Sequence, residues 1–305
     1  MSVRVTNNII TARSRLHLQQ GLQHVDRLRD DIATGVRLRT LSDNATSGSE
    51  LVRIGGSMRA ITQFRRNATM GIARAEAEEN ALNQLTNVLT RAVELGISQS
   101  SATANASSRL ITKHEVDQLI SLTTSLGNTR FAGQFLFGGN RGSEPPLHSP
   151  IPVSGSASAL TDVSGNPVNP SGSPSLEIGD GRFIVPNHNA TEVFLDTDTL
   201  AALRALSDAL GANDPNAIRL VTGRLNAAND NVQALVGTLG ARVNEMQDAK
   251  NSLDALELTL QTYRADLRDT EIDKAMVDLV GKQTLYQAAM SATSRILGLS
   301  LANYL

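Results

Sequence analysis

Side chains that could do chemistry are few and widely spaced along this chain. It has five histidines and no cysteine, which excludes disulfides, thiolate nucleophiles and zinc-thiolate sites. His17 and His24 are related by a helical spacing, but two turns place them about 10 Å apart, too far to share a metal without further ligands. The Gly138-Gly139 pair fits neither the phosphate-loop nor the dinucleotide-binding spacing. We therefore predict no catalytic, metal or cofactor-binding residues, and ordinary packing or surface roles for the histidines.

Composition and charge also limit the kinds of partner. Aromatic residues make up 3% of the chain and tryptophan is absent, so aliphatic side chains must form the core. The net charge of -2 gives no overall attraction to nucleic acid, and the arginines near the N-terminus lack interleaved aromatic stacking platforms. No apolar run reaches the roughly 18 residues of a membrane span, and residues 1–20 lack the apolar centre of a signal peptide. We expect no nucleic-acid partner, no membrane partner and an N-terminus that is not cleaved if the protein is exported.

The distribution of proline separates two arms from an insertion. Eight of the nine prolines lie between Pro145 and Pro186. Proline removes a helical hydrogen bond and clashes with the preceding turn, so long helices are expected outside this stretch. Residues 11–126 and 218–305 are thus predicted to be mainly helical arms.

The insertion carries local strand signals. Asp180-Gly181 lies between β-prone runs within residues 176–185, which predicts a hairpin, and Glu192 to Leu195 indicates a further strand. The composition of the insertion fits either a small β domain with long loops or a partly disordered insert with residues 154–175 as a flexible loop, and the strand signals favour the β domain.

A heptad pattern predicts that the two arms pair. Apolar residues recur every seven positions from Ile218 to Leu267, with a second series at the matching d positions that includes Leu256 and Tyr263. A 3.5-residue repeat of this length requires a partner helix, and the N-terminal arm shows the same register. Asp214-Pro215 marks the helix start. The predicted core positions are Leu82, Leu85, Leu89, Leu225, Val232, Leu239, Met246, Leu253 and Leu260.

Arg242 is the charged residue that breaks the d series. In one interpretation it lies where the bundle opens to solvent, and its stem covers neighbouring apolar groups. In the other it pairs with Glu78 or Glu79 of the N-terminal arm and fixes the alignment of the two arms.

Both chain ends form separate amphipathic segments. The apolar stripe loses its register at residues 268–273, and residues 33–44 interrupt the N-terminal helix. Each end therefore carries a stripe that is separated from the long bundle, and short isolated helices are marginal in water. We predict that these stripes are assembly elements, formed by Leu18, Leu22, Val25, Ile32, Ile272, Met276, Leu279, Tyr286, Met290 and Leu297.

Together these patterns predict a mainly α fold with a small β insert. Residues 1–44 and 268–305 would be terminal coiled-coil assembly segments. The N- and C-terminal arms, residues 45–140 and 193–267, would form a long antiparallel helical bundle or coiled-coil rod. Residues 141–192 would form the central β-rich insert.

Four segments carry a family resemblance. Residues 126–139, Leu-Gly-Asn-Thr-Arg-Phe-Ala-Gly-Gln-Phe-Leu-Phe-Gly-Gly, resemble the Asn-Thr-x-x-x-Gly-x-Tyr-Leu-Phe-x-Gly segment of the flagellin superfamily, in the form of the FlgL-type junction proteins, the hook-associated protein 3 class. Residues 79–95, 239–246 and 283–305 resemble that family's N-terminal rod helix, its C-terminal counterpart and its terminal segment. Two departures are Ser-Asp-Asn-Ala at residues 42–45, where the family often has Ser-Asp-Asp-Pro, and Phe135 in place of tyrosine.

The resemblance implies an extracellular structural protein of the bacterial flagellum at the junction of hook and filament. It would be exported unfolded by the flagellar type III apparatus, with an export chaperone. Its partners would be hook-associated protein 1 type subunits, flagellin and copies of itself, with no cofactor and no enzymatic activity. One alternative is a short flagellin, which shares fold and export route, although Tyr304-Leu305 at the C-terminus favours the junction class. A soluble coiled-coil signalling or scaffold protein would also show heptads, but it has no need of the Pro/Gly-rich insert.

Overall fold

The fold is mainly α with a small amount of β structure, as the sequence predicts, and it contains two short β-hairpins. The structure is a computed structural model and describes residues 2–40, 42–101, 103–147 and 172–302. Its helices are α1 (Ser2–Thr34), α2 (Ala45–Gln99), α3 (Ala106–Gly127), α4 (Thr199–Gly211), α5 (Pro215–Arg268) and α6 (Ile272–Ala302). Its strands are β1 (Arg130–Phe131), β2 (Gln134–Phe135), β3 (Leu176–Gly179) and β4 (Arg182–Ile184). Residues 154–171, most of the stretch with two open interpretations, lie outside the described residues.

Capping side chains fix where the helices begin. Asp214 Oδ1 accepts hydrogen bonds from the backbone amides of Asn216 at 2.9 Å and Ala217 at 3.1 Å, so α5 begins at Pro215 as predicted. Asn105 caps α3 in the same way, because its Oδ1 accepts from the amide of Ser108 at 2.8 Å. These bonds satisfy amides that have no partner within the helix.

The chain divides into two compact units. The central unit comprises Ala60–Ala255, and the terminal unit comprises Met1–Arg59 together with Leu256–Leu305. Helices α2 and α5 contribute residues to both units. The helix breaks between α1 and α2 and between α5 and α6 lie at the predicted positions and belong to the terminal unit.

In the central unit, α2 and α5 run antiparallel, and two glycines of α2 lie where α5 approaches it closely. A Cβ on Gly71 would lie 2.5 Å from Met246 Sδ, and one on Gly96 would lie 2.4 Å from Thr222 Oγ1. Later positions in α2 thus face earlier positions in α5. The predicted core positions that are buried in this unit are Leu82, Leu85, Leu89, Leu225, Val232, Leu239, Met246 and Leu253. Helices α3 and α4 pack against each other and add to the same core.

The heptad series continues into the terminal unit without the same burial. Leu256 and Tyr263 occupy predicted d positions, yet both side chains are exposed, and Leu260 is half-buried. The repeat therefore correctly marks the apolar stripe of α5. It does not show where a partner covers that stripe, because burial depends on a second element that a helical period cannot locate.

The predicted hairpin is confirmed as β3 paired antiparallel with β4. Leu176 lies opposite Ile184 and Glu177 opposite Phe183. Gly181 in the turn has φ +66°, a left-handed conformation that glycine adopts without strain. The second hairpin, β1 with β2, was not predicted from the sequence.

The strand predicted for Glu192 to Leu195 is wrong, because Thr191–Leu195 forms a π-helical turn. Asn189 Oδ1 accepts from the Glu192 amide at 3.1 Å, and the Glu192 carboxylate accepts from the Asn189 amide at 3.2 Å. This reciprocal cap favours a helical turn. Val193 and Phe194 are both buried, whereas consecutive strand residues point to opposite faces.

Candidate assembly interface

The terminal unit is built on the pairing of α1 with α6. A Cβ on Gly21 of α1 would lie 3.3 Å from the Tyr286 ring of α6, so the two helices approach closely there. Among the side chains that the structure describes, Val25 of α1 and Ala275 of α6 are the buried apolar ones in this helix pair. The pair therefore has a narrow apolar seam, in which larger side chains such as Leu18 and Tyr286 are only half-buried.

Backbone hydrogen bonds join the two helix breaks. The Arg37 amide donates to the Arg268 carbonyl at 2.8 Å, and the Thr270 amide donates to the Gly35 carbonyl at 2.9 Å. Val36 and Asp269 form an isolated antiparallel bridge between these bonds. The end of α1 and the end of α5 are thus fixed to each other at the points where the two segments leave the helical conformation.

Asp43 organises the connection from α1 to α2. Its Oδ2 accepts from the amides of Thr40 at 3.0 Å and Arg39 at 3.1 Å, and its Oδ1 pairs with Arg27. The backbone hydrogen bonds from Thr40 and Arg39 hold the pKa of the Asp43 carboxyl below its usual value. Asn44 Oδ1 then caps α2 by accepting a hydrogen bond from the Thr46 amide at 3.1 Å. The cap forms although residue 45 is alanine and not the proline that is common at this position in the resembling family.

The predicted assembly residues fall into three groups of exposure. Val25 is buried, and Leu18, Ile32, Leu279 and Tyr286 are half-buried. Leu22, Ile272, Met276 and Met290 are exposed. The side chain of Leu297 lies outside the described residues.

Among the described side chains of α6, the most exposed apolar ones were not among the predicted assembly residues. Val277 is 73% exposed, and Val280 and Leu285 are also exposed. At about 100° per residue, Val277 and Val280 lie on the side of α6 opposite to Ala275 and its half-buried neighbours. A helix that is apolar on opposite sides is typical of one that is covered from both. The signal in the sequence would have been Val277 and Val280 themselves, which are apolar residues at positions outside the predicted stripe.

The central unit contains a buried polar cluster that the sequence also did not reveal. His188, in the segment after β4, donates its backbone amide to both carboxylate oxygens of Glu78 in α2, at 3.0 and 3.2 Å. Its ring nitrogen Nδ1 lies 2.7 Å from Glu78 Oε1, and Nε2 lies 3.2 Å from Thr238 Oγ1 of α5. Asn187 of the same segment donates to the Leu136 carbonyl at 2.7 Å. The cluster therefore ties four separate parts of the chain together.

Two arginines lie near this cluster. Burial raises the pKa of the Glu78 carboxyl, although hydrogen bonds from His188 and the charge of Arg242 act in the opposite direction. Burial lowers the pKa of the Arg74 guanidinium, against the attraction of Glu78. Arg242 Nη1 is buried without a hydrogen-bond partner among the described residues. His188, and not Arg242, is the hydrogen-bonded partner of Glu78, while Arg242 acts on Glu78 through its charge.

The remaining sequence-predicted features are placed as follows. His17, His24 and His114 are exposed, and His148 lies outside the described residues. No helix in the described ranges is long and apolar enough to cross a membrane. Within those same ranges, histidine, aspartate and glutamate side chains form no group of three or more that could hold a metal ion.

Comparison with protein families matches both ends of the chain. Residues 5–141 match the bacterial flagellin N-terminal helical region, and residues 222–305 match the bacterial flagellin C-terminal helical region. The two matches include α1, α2 and α3 at one end and all of α6 at the other.

Individual relatives and solved structures agree with the family matches. The flagellar filament 33 kDa core protein of Treponema phagedenis is 23% identical over 90% of this chain and 92% of its own length. Flagellin B of Vibrio cholerae is 25% identical over 47% of this chain, which corresponds to 39% of that protein. The solved structure of FlgL from Xanthomonas campestris has a similar fold, with a TM-score of 0.58 and 14% sequence identity. The match covers 70% of this chain and 99% of that structure. FlgL of Bacillus cereus gives a TM-score of 0.53 and 19% identity over 70% of this chain and 98% of its own.

Proposed function

We propose that this chain, which belongs to the flagellin superfamily, is the subunit that joins the flagellar hook to the filament. Family membership makes the chain a structural component of the bacterial flagellum. In the proposed role it contacts hook-associated protein 1 type subunits on one side and flagellin on the other, with copies of itself around the ring. It reaches this position by flagellar type III export without cleavage of its N-terminus, accompanied by an export chaperone.

The observation that carries the proposal is the two-sided apolar surface of α6. One side of α6 packs against α1, while Val277 and Val280 lie exposed on the opposite side. Burying apolar surface contributes about 25 cal/mol per Å² removed from water, so covering this side by neighbouring subunits favours assembly. Residues 126–139 and 283–305 resemble junction proteins, which supports the proposal that this chain assembles at the hook.

A filament subunit is the second candidate function. The sequence match to a Treponema filament core protein extends along most of both chains, which favours a subunit of similar length and organisation. The two candidates make different predictions for the growth medium of cells that lack the gene. Loss of a junction subunit leaves completed hooks without filaments and flagellin in the medium. Loss of a flagellin that forms the filament itself also leaves hooks without filaments, but no flagellin accumulates in the medium. Filaments still attached to the hooks would exclude the junction role.

A pair of variants tests whether the second face of α6 is the assembly surface. Val277→Lys should leave the folded monomer intact, since the side chain is 73% exposed, but should prevent filament growth when it replaces the wild-type protein. Leu220→Lys in α5 is the matched control, because Leu220 is also 73% exposed but belongs to the central unit. The readouts are filament counts by electron microscopy and secreted protein by immunoblot. Normal filaments with Val277→Lys, or equal loss in both variants, would contradict the assignment of assembly to this face.

A further inference from the structure

The charges of the terminal unit are separated along its helix pair. Residues 1–25 and 279–305 contain five lysine or arginine residues and no aspartate or glutamate. Residues 26–44 and 266–278 contain nine aspartate or glutamate residues and six lysine or arginine residues. The described residues of the first group form the basic end of the α1–α6 pair, and those of the second group form the acidic end.

The two ends lie far apart because α1 and α6 run antiparallel. The helix breaks are joined by backbone hydrogen bonds, and Gly21 approaches Tyr286 further along both helices. At 1.5 Å per residue, Asp273 of the acidic end and Arg295 of the basic end lie about 33 Å apart along α6. Charges in water at physiological salt are screened over about 8 Å. The two ends of one chain therefore cannot neutralise each other.

The exposed charges of α6 have no ion-pair partner among the described residues. In α1, by contrast, Asp26 pairs with Arg29. Asp273 and Arg295 are both exposed, and neither forms an ion pair with another described side chain. The same holds for four further acids and three further cations, Asp266, Asp269, Glu271, Asp278, Arg13, Arg15 and Lys282. Each end thus presents charge that is available to another molecule.

The dipoles of the helices do not account for the whole acidic end. Asp273 lies in the first turn of α6, where the helix dipole favours a negative charge. Asp266 lies in the last turn of α5, where the dipole disfavours one, and Asp269 follows that turn. A positively charged partner would stabilise all three carboxylates.

Asp273 and Arg295 lie on the outer side of α6, together with Val277 and Val280. At 100° per residue, these four positions lie within about 60° of one another around the helix. The residues between the two charges on this side are uncharged, and they include Thr284, Gln287, Ala288 and Ser291. The apolar patch that we propose as an assembly surface is therefore flanked by an anion at one end and a cation at the other.

We propose that neighbouring copies of this chain contact each other in a staggered, head-to-tail arrangement, in which the acidic end of one α1–α6 pair lies against the basic end of the next. The inference rests on the proposed self-assembly through α6 but not on its place at the hook. Parallel copies without a stagger would place Arg295 beside Arg295 and Asp273 beside Asp273. A displacement of about 33 Å along α6 replaces both repulsive contacts by attractive ones.

A second copy fits this surface better than a different partner, because the chain itself supplies both halves of the contact. An unrelated acidic or basic protein would need only one of the two ends. A head-to-tail contact also leaves one acidic end and one basic end free at the two sides of any group of copies, so further copies can join. A two-fold contact would close at the dimer, which does not suit a ring.

Carbodiimide cross-linking of the full chain tests which residues meet. Arg295→Lys keeps the positive charge and supplies a primary amine. The carbodiimide activates a carboxylate, the amine displaces it as a urea and an amide bond forms, so only groups in contact are joined. In a mixture of ¹⁴N and ¹⁵N chains, mass spectrometry should find links between copies from position 295 to Asp273 or Glu271. Arg295→Gln, which has no such amine, is the control and should give no link from this position.

The products should form a ladder of covalent oligomers, both in the purified chain and in flagella isolated from cells in which Arg295→Lys replaces the wild-type protein. A series that stops at the dimer would indicate a two-fold antiparallel contact and overturn the staggered one. Links from position 295 only to the central unit or to another flagellar protein, or assembled protein without links from it, would also overturn the inference. Absence of any association between copies would instead contradict the self-assembly on which the inference rests.

Charge reversal at the two ends tests whether the contact is electrostatic. Asp273→Arg and Arg295→Asp should each weaken self-association several-fold in sedimentation experiments, and the double variant should recover most of it because its ends again have opposite charges. Raising NaCl from about 0.05 to 0.5 M should weaken association of the wild type several-fold. Asp230→Arg and Arg219→Asp, at exposed positions of α5 in the central unit, are the matched controls and should associate as the wild type does. Equal association of all variants, or a double variant no better than either single one, would contradict the contact.

Discussion

The central and terminal units use the same kind of apolar helix in opposite ways. In the central unit, α2 and α5 bury their heptad positions against each other and against α3 and α4. In the terminal unit, α1 and α6 bury one narrow seam and leave apolar side chains of α6 exposed on the other side. The central unit therefore contains its own core, and we propose that additional chains supply much of the apolar burial of the terminal unit.

The two units also differ in their polar contacts. The central unit holds the buried Glu78–His188 pair and a buried Arg109, which donates to the carbonyls of Gln99 at 3.1 Å and Ser101 at 3.0 Å. The best-connected carboxylate of the terminal unit, Asp43, is close to the surface and accepts from backbone amides of its own loop. Buried polar contacts between distant segments specify one arrangement of the central unit. In the terminal unit, the contacts of Asp43 specify the local turn between α1 and α2, and backbone hydrogen bonds such as that from Arg37 to Arg268 join the two helix breaks.

The largest expected difference between the units is in the cost of truncating a leucine. Leu239 of α5 is buried in the central core, so Leu239→Ala should reduce the free energy of unfolding by about 2–5 kcal/mol. Leu285 of α6 is 64% exposed, so Leu285→Ala should change it by less than about 0.5 kcal/mol in the free chain. Denaturant unfolding of the purified monomers measures both values. Similar costs for the two substitutions would remove the contrast between the units.

Adding one methyl group to a glycine should have a smaller effect on stability, and the sign of that effect should differ between the two units. At Gly127, the end of α3, a Cβ would lie 2.1 Å from Leu147 Cδ1 and 3.1 Å from the Phe194 ring. Gly127→Ala should therefore destabilise the central unit by about 1–3 kcal/mol. At Gly281 of α6 the new Cβ has no neighbour within 4 Å, and Gly281→Ala should stabilise the helix by about 0.5–1 kcal/mol.

Melting curves of the two alanine variants provide the check. A destabilised Gly281→Ala monomer would show that α6 is already covered in the free chain, since only a close neighbour could reject a methyl group on an otherwise favourable helical position. A neutral Gly127→Ala would show that Leu147 can move aside and that the end of α3 is less tightly packed than the structure indicates.

The sequence predicts the helices well because their signals are local. The Asp214-Pro215 start, the break at residues 268–273 and the Asp180-Gly181 hairpin each depend on a few neighbouring residues, and all three are present in the structure. The strand predicted at Glu192 was wrong because a local cap and tertiary burial together determine its conformation. A run of Val-Phe-Leu is compatible with strand or helix, and only the cap by Asn189 and the burial of two successive side chains decide between them.

The candidate sites were harder to predict because they depend on residues far apart in the chain. The Glu78–His188 contact joins positions 110 residues apart, and neither residue stands out in its own segment. The exposed Val277 and Val280 lie off the heptad stripe that guided the choice of assembly residues. A helical period identifies the face that packs in the monomer, so it cannot by itself identify a second face that is used in an assembly.

Hydrogen exchange in the free and assembled protein tests the dependence of the terminal unit on other chains most directly. In the free chain, backbone amides of residues 276–290 in α6 should exchange on the order of 100-fold or more faster than those of residues 232–253 in α5, because fewer buried contacts oppose local opening. In the assembled flagellum the protection of residues 276–290 should rise to a similar level. Equal protection of the two segments in the free chain would contradict the account, because α6 would then be stable without any neighbouring subunit.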